Sequence, residues 1–146
     1  MENKTQMEKL YDIARSSRTT DEFISYIEYV SQCTSFSARD LANKIYTAAM
    51  AKYEATIRER VGAIKVNTDS VADQMHIVRA FAKKYGLMSD YTFYIERLVI
   101  QGEQFDMTSA LNRLTEAAIT MYDMRLRLKI VTSTGINLIG GHKDAV

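Results

Sequence analysis

No proline occurs anywhere in the 146 residues, and that absence narrows the folds open to the chain more than any other feature. Proline punctuates loops and strands, and inside a helix it removes a hydrogen bond and clashes with the preceding turn. A chain without it, with only 6 glycines and many Ala, Leu, Met, Lys and Glu residues, reads as helices joined by short turns.

The longest uninterrupted helical pattern runs from Ser37 to Val61. Ser37 is placed to cap it, and Asp40 suits the positive end of the helix dipole. Leu41, Ile45, Ala48, Ala49, Lys52, Tyr53, Thr56, Ile57 and Val61 follow in steps of three and four, which makes one stripe at a period of 3.6. Gly62 is expected to end the helix. So thin a stripe on so long a helix needs other helices to cover it. The expected fold is therefore all-α: a single compact bundle of five to six helices around a long central helix at about 38–61.

The other helices are read from the same signals. Residues 5–16 form the first, with Leu10, Ile13 and Ala14 inward. Thr19 and Glu22 make a capping box for the second, whose inner face is Phe23, Tyr26, Ile27 and Val30. Asn67 or Thr68 is expected to cap a fourth helix, which carries Val71, Met75, Val78, Phe81, Ala82 and Tyr85 inward and ends at Gly86. Ser89 or Asp90 caps the fifth, YTFYIERLVI, which is apolar nearly all round and so is expected to be buried. Asp106 caps the sixth, running to about Lys129. Leu111, Leu114, Ala118, Met121 and Leu128 form one stripe on it, and Ile119, Tyr122 and Leu126 form another. From Arg125 to Val131 apolar and polar residues alternate with period two, as in a strand, and TSTG offers a turn into INLIGG. The preferred reading ends the helix near Ile130. Residues 1–130 are then one bundle domain, followed by a flexible tail at 131–146.

Composition removes several functions. A net charge of +1 leaves no bulk attraction for nucleic acid or for an anionic membrane. No apolar run approaches the roughly 20 residues of a membrane span, and MENKTQMEKL lacks the apolar core of a signal peptide. Cys33 is the single cysteine, which fits a reducing, cytoplasmic setting. His76 and His142 lack partners at metal-ligand spacing, and there is no nucleophile elbow, phosphate-cradling loop or dinucleotide fingerprint. Neither an enzyme nor a cofactor-binding or metal-binding protein is expected.

Three patterns remain. Tyrosine and methionine are abundant, and both residues suit protein contacts because they bury large area while keeping a polar tip or an adaptable shape. Tyr29, Tyr46, Met50, Tyr91, Tyr94 and Met124 are the candidates for such a surface. Ala82, Gly86, Leu87 and Ile95 have helix-turn-helix spacing, with Lys83, Lys84 and Arg97 nearby. Arg125, Arg127 and Lys129 begin a stretch with no acid before Asp144, which could grip phosphates. The leading expectation is a non-enzymatic helical protein that binds another protein and self-associates, as an adaptor, chaperone-like partner, inhibitor or assembly subunit. The alternative is nucleic-acid binding through residues 82–95 or the basic C-terminal strip.

Overall fold

The computed structural model describes residues 5–17, 21–30, 37–64 and 68–138. Within them lie six helices: α1 (Gln6–Ser16), α2 (Asp21–Val30), α3 (Ala38–Gly62), α4 (Val71–Lys84), α5 (Met88–Gln101) and α6 (Met107–Thr134). The described residues contain no strand, so the fold is all-α, as expected. The chain packs as two compact units, Met1–Glu54 with Tyr122–Val146, and Ala55–Met121.

The helix boundaries follow from local chemistry. Thr5 and Glu8 form a reciprocal capping box at the start of α1. The Ser37 hydroxyl accepts the Asp40 amide at 3.0 Å, as expected for α3. Asp106 accepts the Ser109 amide at 2.8 Å, and the Ser109 hydroxyl followed by its amide lowers the Asp106 pKa. Ser70, rather than Asn67 or Thr68, caps α4. Thr68 instead accepts the Ser70 amide at 3.0 Å and donates to Asp73 at 3.2 Å. Asn67, the Thr19–Glu22 box and Cys33 lie outside what the structure describes.

Between α4 and α5 the chain turns through Gly86 at φ 71°. The Leu87 amide donates to Ala82 at 2.7 Å and the Gly86 amide to Lys83 at 3.3 Å, the paired bonds of a Schellman turn. Leu87 is fully buried. This turn delivers the chain directly into α5, which starts at Met88 without a side-chain cap, so neither Ser89 nor Asp90 is its cap. A Cβ at Gly86 would meet no atom within 4 Å. Gly86→Ala is therefore expected to cost about 1 kcal/mol from the left-handed conformation alone. Thermal unfolding would read this as a fall in Tm with no change in helix content.

In the first unit, Leu10, Ile13 and Ala14 of α1, Leu41, Ala42, Ile45 and Ala49 of α3, and Leu126 and Ile130 of α6 form one buried cluster. Each fully buried Leu or Ile in it contributes roughly 2 kcal/mol of transfer free energy. Residues 131–138 of the segment expected to be tail belong to this unit as well. Helix α6 continues to Thr134, and Ile136 and Leu138 are buried in the same cluster. Gln6 donates to the Thr134 carbonyl at 2.7 Å and Arg39 to the Asn137 carbonyl at 3.3 Å, which fixes the end of α6 to α1 and α3. The correction has a simple cause: the apolar positions 126, 130, 136 and 138 find a ready-made core. Residues 139–146 lie outside the described residues.

In the second unit α4 and α5 pack together. Ile57, Val78, Phe81, Ala82, Leu87, Tyr91 and Tyr94 are buried there, with Ala110, Leu111, Leu114 and Ala118 of α6. Thr115 is buried too, and its hydroxyl donates back to the Leu111 carbonyl at 2.7 Å. The two α6 stripes need one correction: Leu128, assigned to the inner face, is exposed.

Candidate protein-interaction surface

Helix α5 departs most from its sequence reading. Its apolar residues surround the axis, which predicted burial on all sides, yet the structure covers only one side. Tyr91 and Tyr94 point inward, at 8% and 9% exposure. The Tyr91 hydroxyl donates to the Met75 carbonyl at 3.3 Å, and Tyr94 meets Phe105 edge to face at 6.3 Å. Burial raises both hydroxyl pKa values above 10.0. On the opposite side Phe93, Val99 and Ile100 are 57%, 76% and 83% exposed. The Arg97 guanidinium lies over the Phe93 ring, 5.8 Å from its centroid.

Phe93, Glu96, Arg97 and Ile100 occupy positions i, i+3, i+4 and i+7, so they form a single row down the helix, with Val99 on its flank. Val99 and Ile100 adjoin at one end of the row and Phe93 stands at the other, with the charged pair between them. Beside it Tyr94, Arg97, Leu98, Glu103, Asp106 and Arg113 line a polar hollow of about 310 Å³. Acids and bases share that hollow, and Arg113 lies 5.6 Å from the Tyr94 ring centroid.

The first unit carries a second cluster. The Tyr46 hydroxyl of α3 donates to Asp123 of α6. Arg127 donates through Nε to Asp123 at 2.9 Å and through Nη2 to Tyr46 at 2.9 Å, with its guanidinium 4.5 Å from the Tyr46 ring centroid. Two turns further along α3, Tyr53 stacks on Tyr122 at 4.1 Å with rings 1° from parallel. Tyr46 is thus half-buried and used to join α3 to α6, and Met50 packs against the core. On the outer side of α6, Met124 and Leu128 are exposed.

The sequence candidates therefore separate. Tyr91 and Tyr94 are interior, Tyr46 and Met50 are partly so, and Tyr29 and Met124 are exposed. The prominent outward side chains of α5 are ones the sequence reading did not single out, and the missed signal was the spacing of Phe93 and Ile100 around the Glu96–Arg97 pair. Among the basic candidates, Lys83, Lys84, Arg97, Arg125 and Lys129 are exposed, whereas Arg127 is half-buried and paired with Asp123. Lys129 donates to Ser16 at 2.9 Å.

His76 is exposed. Among the described residues no group of three or more His, Cys, Asp or Glu side chains is placed to hold a metal ion, and no helix is long and apolar enough to cross a membrane. Among the described residues the fold is all-α, and Phe93, Val99 and Ile100 stand exposed on the outer side of α5. No protein-family model matches the chain, and neither a curated protein nor a solved structure matches it.

Proposed function

We propose that this protein is a non-enzymatic helical interaction subunit that works by binding protein chains and self-associates, with the outer face of α5 as its contact surface. The observation that carries this reading is the exposed row of Phe93 and Ile100 with Val99 beside it. Burying such a row removes apolar area from water at about 25 cal/mol per Å². The Glu96–Arg97 pair within it supplies orientation rather than bulk affinity. Exposed Asp90 and Glu96 stand on the same helix as Arg97, a mixture that does not favour a phosphate backbone.

Light scattering across protein concentration and salt, with and without a mixed duplex DNA, tests the reading. The expected result is a concentration-dependent assembly that persists at high salt and ignores DNA. Ile100→Lys is expected to dissolve it while leaving helix content unchanged, because the side chain is almost wholly in solvent. A chain that stays monomeric throughout would sink the proposal, as would a shift on DNA that disappears with rising salt.

A further inference from the structure

We infer that the outer face of α6, from Met124 to Thr134, takes an acidic amphipathic helix of another protein, and that a second copy of this chain does not fit there. The inference goes beyond the α5 contact proposed above and does not depend on it.

The face has two halves. Met124 and Leu128 stand one turn apart at 65% and 63% exposure, and half-buried Val131 continues them at i+7. Met and Leu at this spacing are the anchors that an amphipathic helix offers to a helical partner, and methionine adapts its shape to one. Along one flank of that strip run Arg125 and Lys129, again one turn apart and both exposed. Beyond Lys129 a hollow of about 520 Å³ opens between α6 and α1, lined by Lys9, Asp12, Ser16, Lys129, Thr132 and Ser133. Asp12 is the one acid among those, against Lys9 and Lys129 in the hollow and Arg125 beside it. The flank is therefore basic and carries hydroxyls, which suits carboxylates.

From Met124 to Thr134 the α6 sequence holds no acid. Arg127, on the opposite flank, is already matched by Asp123 at 2.9 Å. An antiparallel pair of these faces would set the Arg125–Lys129 flank against its own copy. A parallel pair would set it against the Arg127 flank. Neither supplies a free carboxylate, so the charge pattern selects a different chain. A phosphate backbone would use the cations and leave Met124 and Leu128 without a partner. The apolar strip is only about 60° wide, narrow for a helix lying in a bilayer surface.

Fluorescence anisotropy of a labelled synthetic helix tests this, with leucine at a and d and glutamate at e and g over about three heptads. A comparison peptide carries lysine at e and g. The parent chain is expected to bind the glutamate peptide and to ignore the lysine one. Arg125→Glu combined with Lys129→Glu is expected to weaken binding of the glutamate peptide about tenfold and to bind the lysine peptide instead. Arg125→Glu alone, which leaves the Lys129 bond to Ser16 in place, is expected to weaken it about threefold. Leu128→Asn is expected to weaken it about tenfold by removing an apolar anchor. Ile100→Lys is expected to leave binding unchanged, which separates this surface from the α5 contact. Circular dichroism and a Tm for each variant check that the fold is retained. A glutamate peptide that does not bind, or that binds the parent and the doubly reversed variant alike, overturns the inference. So does full binding by Leu128→Asn, or a loss in Ile100→Lys, which would place the contact on α5. Binding of the parent to phosphatidylserine vesicles or duplex DNA that the reversed variant loses overturns it as well.

Discussion

Replacing Ile130 by alanine is expected to destabilise the protein by about 3 kcal/mol, whereas Leu128→Ala, two residues away, is expected to cost less than about 0.5 kcal/mol. The contrast follows from periodicity. In a strand, residues 126, 128 and 130 would share one face, and truncating any of them would cost alike. In α6, Leu126 and Ile130 are one turn apart on the inner face, and Leu128 lies outside. Ile130 is 0% exposed and Leu128 is 63% exposed. Ile130 also packs in the cluster that contains Leu10, Leu41, Ile45, Ile136 and Leu138, so its truncation leaves a cavity lined from several elements. Urea unfolding of the two variants gives the comparison directly. Equal costs at both positions would contradict the helical assignment of 125–131.

The second large effect is expected at the Tyr46–Asp123–Arg127 cluster. Asp123→Ala removes the acceptor of both other side chains and leaves a guanidinium without its carboxylate. Hydrogen bonds to charged groups are worth about 1.5–3 kcal/mol when buried, and partial exposure discounts that to about 2 kcal/mol here. The Arg127 and Asp123 side chains are 16% and 27% exposed, which places them between a surface pair and an interior one. Tyr46→Phe keeps the ring under the guanidinium and removes only the hydroxyl, at a cost of about 1 kcal/mol. The two losses should fall short of additive in a double-variant cycle, because one oxygen serves both partners.

The same cluster makes stability depend on pH at the alkaline end. Burial first, and then the hydrogen bond to Asp123, raise the Tyr46 pKa above 10.0. A group whose folded pKa is raised binds its proton more tightly when folded. Its contribution is complete below the unfolded value and is lost as pH rises through the folded one. Tm is therefore expected to fall above about pH 10, and to fall less steeply in Tyr46→Phe. Tyr91 and Tyr94 act in the same direction through burial and account for the slope that remains in the variant. Identical slopes in parent and variant would show that Tyr46 does not carry this dependence.

Some of this architecture is written locally. The missing prolines, the Ser37 and Asp106 caps, and Gly86 at the end of α4 are short-range features whose chemistry works wherever the helix ends up. They define all-α character and the bounds of α3 without reference to any partner. Inner faces were legible where polar and apolar residues segregate, as at Leu41, Ile45 and Ile57 or at Val78, Phe81 and Ala82. On α5 they do not segregate, and local pattern cannot say which apolar side meets another helix. Periodicity is also silent on Tyr46, whose partners Asp123 and Arg127 are 77 and 81 residues away in sequence.

The sequence by itself therefore determined the six helices, the caps at Ser37 and Asp106 and the absence of familiar catalytic motifs, because each of these depends on neighbours within a turn or two. Only the tertiary structure decided that Tyr91 and Tyr94 point inward while Phe93 and Ile100 face solvent. It also decided that Leu128 is outside and Ile136 inside, and that α6 extends to Thr134. The physical reason is common to all of these. Burial is a property of what else occupies the same space, and the residues that fill it come from helices distant in the chain.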